Sequence, residues 1–239
     1  MTHHKVPFIS LGPGDPELLT VKALRQLREA DIVVVPGSVS ADGTVTSRAA
    51  DIIGYWDIAA EVRLFQIPME HDPQKALAAY DAMCDEIKHL YSEGRRVAVA
   101  VEGDISIYAS IHYVMERLQA EGVPVGQLPG ITSFIAAAAE AGLSLVSRRE
   151  RLLVVPDISS TEELDRLLYN GHTVVIMKLS LCQDVVKVYV QARPALSCHY
   201  FENVGTSNQF HTSDPAVISQ RPVPYFSLII IKKQRGGCA

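Results

Sequence analysis

The chain has 239 residues, 48% hydrophobic and 21% charged, an ordinary soluble-protein composition with enough apolar content for one large core or two small ones. Its formal net charge of −5 argues against a general nucleic-acid binder, which needs a basic surface, but not against an anionic small molecule that responds to local charge in a cleft. Cys84, Cys182, Cys198 and Cys238 show no paired spacing, no apolar run approaches the ~18 residues that span a bilayer, and the first residues lack the apolar region of a signal peptide, so no metal site, disulfide framework or membrane segment is expected and a reducing, cytoplasmic setting fits.

Val6, Phe8, Ile9 and Leu11 form an apolar run that enters Gly12-Pro13-Gly14-Asp15-Pro16 and then a helical pattern ending at Ala30-Asp31. The reading is strand, tight loop, helix. Gly12 and Gly14 accept φ > 0, Pro13 and Pro16 stiffen the turn, and Asp15 is placed to cap a helix whose first position Pro16 fills without losing a hydrogen bond. Leu18, Leu19, Ala23, Leu24 and Leu27 recur at helical spacing, and residues 32–35 are a β-branched run suited to a buried strand. The loop has neither the Lys-Ser/Thr of a P-loop nor the three glycines of the dinucleotide fingerprint, so taken alone it reads as a short turn without a ligand.

Residues 37–43 are polar and turn-forming, and residues 46–53 suit a short helix. Ser47-Arg48 is a candidate carboxylate-binding pair, because a guanidinium grips a carboxylate with two parallel bonds; the alternative is a solvated arginine on a helix. Residues 62–67 alternate like a strand. Asp72-Pro73 then opens a helix whose predicted buried stripe is Ala76, Leu77, Tyr80, Met83, Ile87 and Leu90, ended by Glu93-Gly94. Residues 96–101, small and β-branched throughout, have the appearance of a central parallel strand covered on both faces. At its carboxyl end stand Glu102-Gly103-Asp104, Ile107 and Tyr108, ahead of a helix through Tyr113, Val114 and Leu118. Ligands of open α/β sheets bind beyond the carboxyl ends of strands, so two Gly-Asp turns converging on one crevice make a binding site. Asp104 either accepts from an ammonium or ribose hydroxyl or caps the following helix.

Residues 123–128 lead into Pro129-Gly130-Ile131-Thr132-Ser133 and an alanine-rich helix, 134–141, whose nearly continuous apolar surface predicts burial on all sides. Strand and helix alternate up to here, which gives a mostly parallel sheet. Thereafter strands at 152–155, 173–177, 198–201 and 225–231, with helices at 161–169 and 183–190, predict a mixed sheet with helices. The fold class is therefore α/β in two domains, 1–121 and 122–239, with the boundary near Gly122.

The string Gly12-Pro13-Gly14-Asp15-Pro16-Glu17-Leu18-Leu19-Thr20, followed by Ala30-Asp31-Ile32-Val33, resembles the opening signature of the tetrapyrrole (uroporphyrinogen-III/precorrin) methylases. The resemblance runs on through Gly103-Asp104 with Ile107 and Tyr108, then 129–134, Met177-Lys178 and 202–206, in family order and spacing, and covers nearly the whole chain. It implies the two-domain tetrapyrrole methylase fold, a homodimer, and S-adenosylmethionine bound folded in a cleft between the domains, with S-adenosylhomocysteine as product. By the same resemblance Pro13, Glu102, Gly103, Asp104, Ile107, Thr132, Ser133, Met177 and Val204 occupy cofactor-contacting positions, several through backbone groups. Two departures stand out: Ser10 where most members have Gly, and Ile105 where many have Pro.

Pro68-Met69, Glu150-Arg151-Leu152, Val155-Pro156 and residues 224–228 are most similar to the branch acting at C20 of precorrin-2 or cobalt-precorrin-2; residues 104–108 are also similar to the branch acting at C11 of precorrin-4. The implied reaction is methyl transfer from a sulfonium to an enamine-like ring carbon. Alignment and exclusion of water are then the chief tasks, and a proton must leave afterwards. No catalytic residue is assigned; Glu102 and Tyr108 are placed to assist proton loss or to serve as strand-end structure. The substrate's carboxylates make Arg48, Tyr108 and Arg151 candidate substrate contacts, with Arg63, Arg148 and Arg149 as further members of a basic rim. A metal in the substrate is chelated by the ring and needs no protein ligand. Another methylase of this fold, or a non-catalytic S-adenosylmethionine-binding protein, is the alternative.

Overall fold

The computed structural model describes residues 4–39, 43–68, 73–169 and 171–233. It divides after Thr132. In the first unit the elements are β1 (Val6–Ser10), α1 (Val21–Glu29), β2 (Ile32–Val39), β3 (Val45–Thr46), α2 (Arg48–Gly54), β4 (Glu61–Pro68), α3 (Pro73–Ser92), β5 (Val97–Val101), α4 (His112–Ala120) and β6 (Val125–Leu128). The strand order is β3-β2-β5-β1-β6, with β4 also paired to β2. Every pairing is parallel except β2 with β3.

Alternation along the central strands explains the layering. Val97, Val99 and Val101 join Val6, Phe8, Ile32 and Val34 on the face covered by α3 and α4. Ala98 and Ala100 join Ile9, Leu11, Val33 and Val35 on the face covered by α1 and α2, where small residues let the helices sit close. All five residues of β5 are buried, as expected of a strand with both faces covered. The helix after β1 thus goes to one face and the helix after its neighbour β5 to the other. That reversal defines the β1/β5 boundary as the topological switch point, where the carboxyl ends of strands leave a crevice.

Several expectations need correction. The helix predicted from Pro16 is interrupted: Asp15 accepts from Glu17 N–H at 2.8 Å and caps only a 3-10 turn, Pro16–Leu18. Thr20, accepting from Ala23 N–H at 3.2 Å, then caps α1. Residues 37–39 belong to β2 rather than to a turn, because they keep pairing with β4; residues 40–42, the rest of that predicted loop, lie outside the described residues, as do Met69, Asp72 and Cys238. In α3 the buried stripe passes through Met83, Cys84, Ile87 and Leu90, and Leu77 falls to its side, 43% exposed.

The second unit comprises α5 (Ser133–Glu140), β7 (Leu152–Val155), α6 (Thr161–Tyr169), β8 (Thr173–Ile176), α7 (Gln183–Ala192), β9 (Leu196–Glu202), β10 (Phe210–Thr212), α8 (Pro215–Gln220) and β11 (Ser227–Lys233). Its sheet is mixed, in the order β10-β9-β11-β8-β7, with β7 and β8 parallel and the rest antiparallel. Helices α6, α7 and α8 cover one face through Leu164, Leu168, Val186, Tyr189, Val190 and Ile218. Helix α5 covers the other with Phe134, Ala137 and Ala138 against Val175, Phe201, Leu228 and Ile230. It is not buried all round: Ile135 is 47% exposed, since one face is enough to cover this sheet. Residues 225–226 precede β11 and stay largely exposed, and β10 and α8 carry too short a pattern to be read from sequence. Residues 122–132 contain β6, which pairs with β1 and so belongs to the first sheet. Among the described residues no helix is long and apolar enough to cross a membrane.

Candidate active site

The two glycine turns predicted to converge are joined directly. Gly12 N–H donates to Gly103 C=O at 3.1 Å and Gly103 N–H donates to Gly12 C=O at 2.6 Å. Both glycines have φ in the left-handed region, +84° and +77°, which lets each chain leave its strand and still exchange bonds with the other. A Cβ on Gly103 would meet open space, so this side of the turn is not packed against the core.

Three further contacts brace the turns. Ser10 Oγ accepts from Ile105 N–H at 3.0 Å in a fully buried setting. Positions 10 and 105 are therefore partners: a proline at 105 would have no N–H to give, and a glycine at 10 no oxygen to receive it. Asp104 Oδ2 accepts from Gly130 N–H at 2.7 Å, and Oδ1 accepts from Ser106 N–H at 2.9 Å and from the Ser106 hydroxyl. Burial would raise the Asp104 carboxyl, but the Gly130 and Ser106 donors outweigh it and hold it below the usual aspartate value. Asp104 thus pins residues 129–130 beside the crevice. Gly130 has no room for a side chain, since a Cβ would stand 2.6 Å from Ser10 Cβ and 2.8 Å from the Gly103 carbonyl oxygen.

Glu102 has a different environment. Its Oε1 accepts from Arg48, the first residue of α2, at 3.1 Å, and both side chains are 21% exposed. Desolvation pushes its carboxyl up to about 7 despite the opposing pull of Arg48. Sequence reading chose Arg48 as a grip for a substrate carboxylate; the structure gives it one of the protein's own. No local signal links residues 54 positions apart.

Pro13 is buried within the first turn, Ile107 is half-buried, and Tyr108 is 41% exposed with a left-handed φ of +50°. The Thr132 hydroxyl is buried and has no hydrogen-bond partner among the described residues. Such an orphaned polar atom fits a ligand that supplies the missing bond. In the second unit Ser133 begins α5, Met177 follows β8, and Val204 follows β9. Met177 and Val204 pack in one cluster with Phe134 of α5, so these candidates meet at one end of that sheet. The Glu202 carboxylate anchors this end, accepting from the Tyr200 hydroxyl at 2.7 Å and from Arg221 Nε and Nη2 at 2.5 and 3.0 Å.

Arg151 is exposed and precedes β7, which runs parallel to β8; it therefore stands at the opposite end of the sheet from Met177. Arg148 and Arg149 are exposed in the same loop, while Arg63 is engaged by Glu61 and Glu86. Among the described residues no group of three or more metal-ligating side chains occurs.

The sequence profile of the tetrapyrrole (corrin/porphyrin) methylases matches residues 5–216, and the chain belongs to that family. It is an S-adenosylmethionine-dependent methyltransferase. More particularly, it is 28% identical to the cobalt-precorrin-2 C(20)-methyltransferase of Salmonella typhimurium over 96% of this chain and 97% of that one. It is 29% identical to the precorrin-2 C(20)-methyltransferase of a Sinorhizobium species over 93% of each. The solved structure of a cobalt precorrin-4 methyltransferase superposes with a TM-score of 0.73 at 23% identity, covering 97% of this chain and 95% of that one, which shows the shared fold.

Replacing Ser10 by Ala leaves the buried Ile105 N–H without an acceptor and is expected to lower stability by about 1–3 kcal/mol in urea unfolding. Glu102 sets a pH dependence with a definite sign. A carboxyl raised to about 7 binds more protons folded than unfolded, so stability falls as pH rises from the ordinary glutamate range through 7. Unfolding of wild type and Glu102→Gln at pH 5 and pH 8.5 is expected to show the variant gaining up to ~3 kcal/mol relative to wild type at the higher pH. A constant difference between the proteins would refute the shift.

Proposed function

We propose that the chain transfers a methyl group from S-adenosylmethionine to C20 of precorrin-2 or cobalt-precorrin-2 in cobalamin biosynthesis. The observation that carries the reading is full-length similarity to relatives of that activity, 97% and 93% of whose lengths are matched. The bound donor supplies an electrophilic methyl on a positive sulfur. Pro13, Gly103, Asp104, Ile107, Thr132, Ser133, Met177 and Val204 are its contacts. The Thr132 hydroxyl, unpartnered among the described residues, provides a hydrogen-bonding group for the donor's polar parts, and Met177 and Val204 provide apolar contact. Tyr108, 41% exposed, serves the acidic ring.

The working protein is a homodimer, a reading supported by Val62 and Leu64, two apolar side chains on one face of β4 left 42% and 41% exposed. A cytoplasmic setting is supported by the free, buried thiols of Cys84, Cys182 and Cys198; burial raises Cys84 to about 11 and Cys198 to about 12, which suits inert reduced cysteines.

Incubation with methyl-labelled S-adenosylmethionine and precorrin-2, with and without cobalt, is expected to give one new methyl at C20 by NMR. Label at C11 or C17 would sink the assignment, and donor binding without turnover would favour the non-catalytic alternative. Light scattering is expected to give a dimer for the wild type and a monomer for Val62→Glu/Leu64→Glu; an unchanged dimer would exclude this face.

A further inference from the structure

We infer that Glu102 is the group that accepts the proton released by the macrocycle after methylation, and that Arg48 is its positioning residue. The inference rests on the C20 reading above. In that reaction a meso carbon that already carries hydrogen gains a methyl group. Its C–H bond must then break, the bonding electrons return to the ring's conjugated system, and the proton passes to a carboxylate oxygen of Glu102 and from there to solvent. Charge and atoms balance without any oxidant.

The position of Glu102 suits this role. It follows β5 directly at the switch point, and its neighbour Gly103 is locked to Gly12 by the reciprocal pair of bonds, so the carboxylate is presented from a fixed backbone. Arg48 is equally fixed. Ser47 donates to Pro36 C=O at 2.7 Å and accepts from Ala50 N–H at 3.2 Å, which ties the start of α2 to β2. The Glu102 side chain is one-fifth exposed, enough for a substrate to reach it and little enough to keep it short of water.

The nearby carboxylate is excluded by its bonding. Asp104 accepts from Gly130 and Ser106 and is held ionised, which makes it a poor proton acceptor. Glu102 is pushed the opposite way, up to about 7, by burial, and Arg48 of α2 is the one charged group acting on it among the described residues. Two carboxylates two positions apart, driven in opposite directions by their surroundings, mark a division between structural and proton-transfer roles. A proton affinity near neutrality lets the same group take a proton and return it in each cycle.

The test compares wild type, Glu102→Gln, Glu102→Asp and Arg48→Gln. Glu102→Gln is expected to lower kcat by about 10²- to 10⁴-fold. Its affinity for S-adenosylhomocysteine by calorimetry and for precorrin-2 by absorbance titration is expected to stay unchanged. With substrate deuterated at C20 it is expected to show a primary isotope effect larger than wild type. Glu102→Asp should recover part of the rate, and Arg48→Gln should move the ascending limb of the pH–kcat profile to higher pH, because the cation that favours the ionised carboxylate is gone. Wild-type turnover with an indifferent Glu102→Gln overturns the inference alone. Loss of S-adenosylhomocysteine affinity in that variant also overturns it, making Glu102 a donor ligand instead. A wild type that binds S-adenosylhomocysteine but leaves precorrin-2 unmethylated overturns the substrate reading, and this inference with it.

Discussion

The reciprocal backbone bonds between Gly12 and Gly103 are the constraint on which the first unit's chemistry depends. Where β1 and β5 end, their last peptide groups must find partners or be left unsatisfied beside a crevice. Glycine at both positions solves this by allowing two left-handed turns to face each other, so the strand pair ends in a clasp. Each loop inherits its geometry from that clasp. Glu102 is held on one side of it, and Asp104, with residues 129–130 attached, is held on the other.

The same segment shows how one short sequence carries two electrostatic roles. Glu102 and Asp104 have the same functional group, yet Asp104 meets fixed N–H and O–H donors while Glu102 meets one guanidinium and little else. Donors stabilise the ionised form and desolvation opposes it, so the two carboxyls separate. Charge is arranged here pair by pair, and the net charge of the chain decides little. Arg63 and Arg48 both illustrate the cost to simple charge counting, since each is engaged by the protein's own glutamates.

Family membership and fold agree with the chain's own physics. The alternating first half predicts a mostly parallel sheet and the later strands a mixed one, and the two sheets have that character; the switch point at β1/β5 came only with the strand order. Ser10 and Ile105 work as a pair across the crevice's base, the isoleucine supplying an N–H that a proline would lack and the serine the oxygen that accepts it.

Sequence alone determined the glycine turns, the cap at Asp15, the helix end at Gly94 and the central strand, because these depend on neighbours in the chain: φ preferences and two- and 3.6-residue periodicities; the class of methyl donor came from the family resemblance. It misread the continuity of the first helix, where Thr20 competes with Asp15 as a cap, and the burial of α5, whose apolar composition says nothing about how many faces a sheet will cover. Arg48 with Glu102, Ser10 with Ile105 and Asp104 with Gly130 were decided only in three dimensions. Each pair is distant in sequence, and burial and hydrogen-bond partnership are properties of the folded surroundings, so no residue type or local spacing encodes them.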